Sequence, residues 1–156
     1  MIISSRLRQA LALSFGTAAL AATLGTAHAN AYNPPINMAH GIEYMSGGVG
    51  DDEAQLMQAV LPRWPASFVF TVAGQPAGEA ATAVEVTVRS EAGEVLIDHV
   101  RVGGPYMVAR LDPGSYQVEA VLGGHVLTQQ VTVRAGVDTR TEFKWPEGAG
   151  VRSARS

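Results

Sequence analysis

The chain contains no cysteine, so it has neither a disulfide framework nor a lipid-acceptor thiol. Its fold must rest on an ordinary hydrophobic core. It has one lysine, Lys144, and its arginines are interspersed with acids. Without a basic stripe, nucleic acid and anionic membrane are not expected as partners, since both recruit clustered Lys and Arg. Long hydrophobic runs are also missing. The run from Ala10 to about Leu24 is about 15 residues and is interrupted by Ser14, Gly16 and Thr17. A spanning helix needs about 20.

That run does fit a secretory signal. Arg6 and Arg8 give it a positive start with no acids, and Ala27-His28-Ala29 supplies the small-x-small cleavage pattern. The expectation is a signal peptide over 1–29, a mature chain beginning at Asn30, and a periplasmic or secreted location with no membrane contact after cleavage. Loss of the signal leaves 9 of the 11 basic residues against 14 acids, a formal charge of −5.

Composition divides the rest. "NAYNPPINMAH", 30–40, has adjacent prolines and no periodicity, and reads as a linker. "EGAGVRSARS", 147–156, reads as a flexible tail. About 105 residues, 41–146, remain for one domain, enough to bury a core.

One helix is expected over Asp52–Leu61, where Ala54, Met57, Val60 and Leu61 recur at helical spacing. Acids crowd its first turn, where the helix dipole favours them, and Pro62 and Pro65 should end it. The remainder of the domain alternates as strands: Ser67–Val72, Ala83–Arg89, Val95–Val102, Tyr106–Leu111, Ser115–Leu122, His125–Val133 and Thr139–Trp145. Gly123-Gly124 is a two-residue hairpin signal. Ile42–Met45 is a possible eighth strand. Turn signals every 8–12 residues predict an all-β, seven- to eight-stranded antiparallel Ig-like sandwich with one short N-terminal helix.

"VEVTVRSEAGEVLID", "GPYMVARLDPGSYQVEAVLGG" and "TQQVTVRAG" together resemble the carboxypeptidase regulatory-like domain, a transthyretin-like β-sandwich found in small exported bacterial proteins. The likeness covers about Val84 to Lys144. Its corner is Leu111, Pro113, Gly114 and Tyr116. Pro113 suits the first position of a type II turn, Gly114 the left-handed position after it, and Tyr116 a core ring whose hydroxyl reaches backbone. The resemblance implies a fold rather than an activity, because such modules serve many hosts. A zinc carboxypeptidase needs a His/Glu ligand set that is not here. The transthyretin-like hydrolases of purine breakdown carry a Tyr-Arg-Gly-Ser end, whereas this sequence reads Ser153-Ala154-Arg155-Ser156.

The chemistry-bearing residues are few. His40, His99 and His125 share no ligand spacing, and Asp98 and His99, as neighbours in a strand, should point to opposite faces. Ser46 and Ser67 lie outside any Gly-x-Ser-x-Gly elbow. "SGGVGDDE" lacks the lysine of a phosphate loop and places Asp51, Asp52 and Glu53 where positive charge is needed. Those acids offer hard oxygens for calcium, but without the spacing of a calcium loop. The structural reading is a glycine reversal leading into a capped helix, with Gly50 or Asp51 as the cap.

No catalytic residue, cofactor or metal is therefore expected. The candidate partner-binding loop is Tyr44, Met45, Ser46, Gly47, Gly48, Val49, Gly50, Asp51 and Asp52, at one end of the sandwich. The favoured reading is a non-catalytic exported module that binds a protein or glycan in the cell envelope. Two others stand beside it. One is an accessory subunit that pairs through its edge strands. The other is a small hydrolase in which His99 or His125 meets Arg101 or Arg110.

Overall fold

The computed structural model describes residues 33–76 and 83–150. The expected signal peptide, residues 30–32 of the linker and residues 151–156 of the tail lie outside them.

Nine strands and one α-helix occur in order among the described residues. They are β1 (Asn37–Ala39), β2 (Ile42–Gly47), α1 (Asp51–Val60), β3 (Ala66–Val72), β4 (Glu85–Ser90), β5 (Val95–Arg101), β6 (Tyr106–Ala109), β7 (Gly114–Leu122), β8 (His125–Val133) and β9 (Thr139–Trp145). A 3₁₀ turn, Leu61–Arg63, joins α1 to β3. The strands form a five-stranded sheet, β1-β2-β6-β3-β9, and a four-stranded sheet, β5-β4-β7-β8. No helix among the described residues is long and apolar enough to cross a membrane.

Several expectations need correcting. The described residues hold nine strands rather than seven or eight, because β1 lies inside the span read as a linker, where Pro34 is also buried. The sheets are not wholly antiparallel: β3 and β9 pair parallel from Ala66↔Thr139 to Val72↔Trp145. The helix starts and ends one residue earlier than its pattern suggested. Pro62 does not end it but sits in the 3₁₀ turn, where its missing N–H is harmless. Gly114 is not left-handed; it opens β7 in register with Val133. Part of the expected tail is ordered too, with Ala149 buried.

One core draws on both sheets. Phe68, Phe70 and Val72 point inward from β3, as their alternation required, and meet Val86 and Val88 of β4 and Val118 of β7 in one buried cluster. β9 adds Phe143 and Trp145. Parallel pairing sets Phe70 beside Phe143, with ring centroids 5.8 Å apart, and Trp145 lies 6.3 Å from Phe70. Aromatic pairs in this range contribute about 0.5–1.5 kcal/mol beyond their buried area.

A second cluster lies on the outer face of the five-stranded sheet. Met57 and Leu61 from the helical segment cover Met45, Val69, Tyr106 and Val108, with Ala54 and Val60 half-buried at the margin. This cover explains why β3 is buried on both faces, Phe68 on one side and Val69 on the other.

The free edges are each blunted. β1 has three residues. β5 is bulged: its register against β4 slips twice between Val86 and Arg89. His99 takes a left-handed φ of 45° there, and its N–H donates to the hydroxyl of Thr87. The bulge also overturns the expected opposition of Asp98 and His99, whose side chains meet in a hydrogen bond. β8 and β9 close on each other, the amide of Gln129 donating to the carbonyl of Glu142. Long unpaired edges invite strand addition, and short strands, bulges and covering segments suppress it.

Candidate functional site

The glycine stretch that sequence alone marks as a binding loop divides into a packed strand end, 44–48, and an exposed knuckle, 49–52. Tyr44, Met45, Ser46 and Gly47 are strand residues of β2. Tyr44 is half-buried against the main core and Met45 is buried under the helix, so Met45 does not offer the apolar contact expected of it. Ser46 accepts the N–H of Gly103 at its hydroxyl, 2.9 Å away. Gly47 and Gly48 are buried. A Cβ on Gly47 would strike the Glu53 carboxylate and Pro34, and one on Gly48 would strike the Tyr106 ring. Gly48 has φ +107°, and its N–H donates to Glu53 Oε1 at 2.7 Å. The glycines are there because backbone, ring and carboxylate close in on them. Val49, Gly50, Asp51 and Asp52 alone stand exposed, as a knuckle before the helix. Glu53, the third acid, is turned back onto Gly48 rather than outward with the two aspartates. Among the described residues no three His, Asp or Glu side chains gather into a metal-sized group.

The helix runs from this knuckle to the opposite end of the fold, about 15 Å for its 10 residues. There the structure forms a surface hollow of about 440 Å³. Three connections converge on it: Pro62–Pro65 before β3, Arg110–Pro113 between β6 and β7, and Val133–Asp138 between β8 and β9. Main-chain bonds fix two of them. The N–H of Thr139 donates to the carbonyl of Pro65 at 3.0 Å, and Arg134 and Val137 pair across their own turn. The corner carries the tyrosine bond its sequence implied: the Tyr116 hydroxyl donates to the carbonyl of Asp112 at 2.6 Å. Burial, aided by the negative charge of Asp112, raises the Tyr116 phenol above its ordinary value.

The hollow carries three arginines, Arg63, Arg110 and Arg134, against two aspartates, Asp112 and Asp138. The whole chain is acidic, at −3, so this end is locally reversed in sign. Arg110 is the most constrained of the three. Its guanidinium lies over the Trp64 ring, 4.8 Å from the centroid, and its Nε donates to Glu43 Oε2 at 2.7 Å. Among the described residues Arg63, Arg134, Asp112 and Asp138 form no ion pair.

Sequence reading missed this site. Its lining comes from three stretches far apart in the chain, each of which looks like turn punctuation by itself. The two-proline bracket around Arg63 and Trp64 was the available signal.

Of the residues of the hydrolase alternative, His99 and Arg101 share β5, and the others are spread across the fold. His99 lies on β5 and His125 on β8, the two opposite edges of the four-stranded sheet. Arg110 comes just after β6, in the other sheet, and is engaged by Glu43. His40 sits in the turn between β1 and β2, its Nδ1 3.3 Å from the carbonyl of Leu96. No family model matches the chain, and no curated protein matches it.

Proposed function

We propose that this chain is a non-catalytic, exported module with a transthyretin-like sandwich architecture, which binds a partner in the cell envelope through the end of the fold that carries the arginine hollow. The observation that supports this reading is the convergence of three connecting segments on one charged, open concavity, held on a rigid frame of paired strands. Binding sites concentrate on connections that a stable scaffold positions. The shared core of the two sheets and the tyrosine corner favour the sandwich architecture. The charged run at Arg6 and Arg8 with its Ala29 cleavage pattern favours export.

The accessory-subunit alternative, in which an edge strand pairs with another chain, is less favoured because each edge is short, bulged or covered. The hydrolase alternative is less favoured because Arg110 is engaged by Glu43 and His125 stands on the opposite edge of the sheet from Arg101.

Site-directed photo-crosslinking tests the reading. A photoreactive residue at Pro113 or Ala135, on the rim of the hollow, should capture a discrete envelope partner. The same residue at Gly124, at the far end, should not. Crosslinks confined to Gly124, or none from the rim, would reject it.

A further inference from the structure

The arginines of the hollow differ in one respect that bears on ligand chemistry. An arginine on a surface normally loses side-chain freedom when it grips a ligand, and that loss weakens the grip. Arg110 has already lost it. The Trp64 ring supports its guanidinium from below, and Glu43 holds its Nε edge. Nε is the one guanidinium nitrogen with a hydrogen-bond partner among the described residues. The two Nη groups carry four N–H donors, and Arg110 lines the hollow. A planar fork fixed in this way suits a planar acceptor with two oxygens, which is a carboxylate. Arg63 and Arg134 add positive charge around the same space, with no acid paired to them among the described residues.

The remaining lining separates the sources of such a carboxylate. Acidic sugars bind best where an open aromatic face can take the apolar side of the ring. Trp64 offers none: it is 8% exposed, and Arg110 covers it. Asp112 and Asp138 on the rim would repel a chain of repeated acids but match a basic side chain beside the acid. A peptide segment of mixed charge satisfies both halves of the hollow, whereas a polyuronate satisfies one.

We infer that the hollow receives a peptide segment of a partner protein, gripping a carboxylate with Arg110 while Asp112 and Asp138 face a neighbouring basic side chain. This rests on the partner-binding reading above and narrows it to a protein ligand.

Nuclear magnetic resonance titration of the ¹⁵N-labelled protein tests the inference, with the arginine Nε–H signals as readout. Three probes serve: a capped Gly-Glu-Gly-Lys-Gly peptide, the same peptide with Gln in place of Glu, and trigalacturonate. The Glu peptide should shift the Arg110 Nε–H signal saturably. The Gln peptide should bind about tenfold more weakly, since charge-assisted bonds are roughly twice as strong as neutral ones. Arg110→Lys keeps the charge and loses the fork, and should also weaken the Glu peptide about tenfold, read from the backbone amide signals of Gly136 and Val137 in the hollow. Arg63→Ala and Arg134→Ala should each weaken it by about two- to fivefold, less at high salt. Equal binding by Arg110→Lys would overturn the fork. Tighter binding of trigalacturonate than of the Glu peptide would overturn the peptide assignment, and no shift with any probe would overturn the site. None of these failures touches the crosslinking result, because a whole partner captured from the rim does not depend on any of the three probes.

Discussion

Replacing Gly104 by alanine isolates the close approach that built the glycine stretch. A Cβ on Gly104 would stand 2.5 Å from the Gly47 oxygen, 2.6 Å from the Gly47 carbonyl carbon and 3.0 Å from the Gly48 nitrogen. Comfortable carbon contacts are about 3.5–4.0 Å, so the chain would have to part by about 1 Å. All three atoms are backbone, and none can swing aside. Gly104 is not in the left-handed region, so alanine's loss there is steric and not conformational. Overpacking of this kind costs about 1–3 kcal/mol. At roughly 4 °C per kcal/mol for a domain of this size, calorimetry should record a fall in Tm of about 4–12 °C. Gly103 next door is the internal control, because its added Cβ meets the Ser46 oxygen at 3.4 Å, an ordinary contact. Gly103→Ala should stay within about 0.5 kcal/mol of the parent. If Gly104→Ala melted within about 1 °C of the parent, the glycines would not be there for close packing, and the stretch would be open again to a role in recognition.

Other expectations rest on single contacts. Tyr116→Phe removes the bond to the Asp112 carbonyl and should cost about 0.5–1.5 kcal/mol in urea unfolding. The Tyr116 phenol titrates higher folded than unfolded, so its contribution is full below its ordinary value of about 10 and is lost as pH rises through the folded value. Stability of the parent should therefore fall above about pH 10 more steeply than that of Tyr116→Phe; parallel curves would refute the assignment. Met57→Ala empties the fully buried centre of the outer cluster and should cost about 2–5 kcal/mol by chemical denaturation. Glu53→Ala strips the acceptor from the Gly48 N–H and should cost about 1–2 kcal/mol in the same measurement. Amino-terminal sequencing of protein recovered from the periplasm should begin at Asn30.

The strands were legible where alternation ran long and turns were sharp. His125–Val133 and Thr139–Trp145 match their sequence patterns to the residue, because Gly123-Gly124 starts one and Trp145 closes the other. The helix was legible from Ala54, Met57, Val60 and Leu61, all of which face the cluster their spacing implied. Pairing was not. Nothing local tells β9 to lie parallel to β3, since the two strands meet edge to edge across more than 70 residues of sequence. The bulge at His99 was hidden as well, because alternation assumes that each residue steps to the other face, and an extra residue breaks the count. Three residues, Asn37–Ala39, are too few to show any period. The glycine stretch drew attention by composition, yet Gly47 and Gly48 are set by what packs on them. The hollow has no composition of its own, and only folding brings Trp64, Arg110 and Arg134 to one place.

The two ends of the fold have unequal tasks, and the path of the chain makes that usable. Pro34 packs by Gly47, and Ala149 and Gly150 pack by Leu122 and Gly123. Trp145 reaches across there to the carbonyl of His125. Both attachments of the described chain therefore leave from the end remote from the arginines. A tether, a fused reporter or a neighbouring domain joined on either side would hang from the base and leave the opposite mouth unobstructed. Held at a surface by either terminus, the module would present its arginines outward, toward whatever diffuses past.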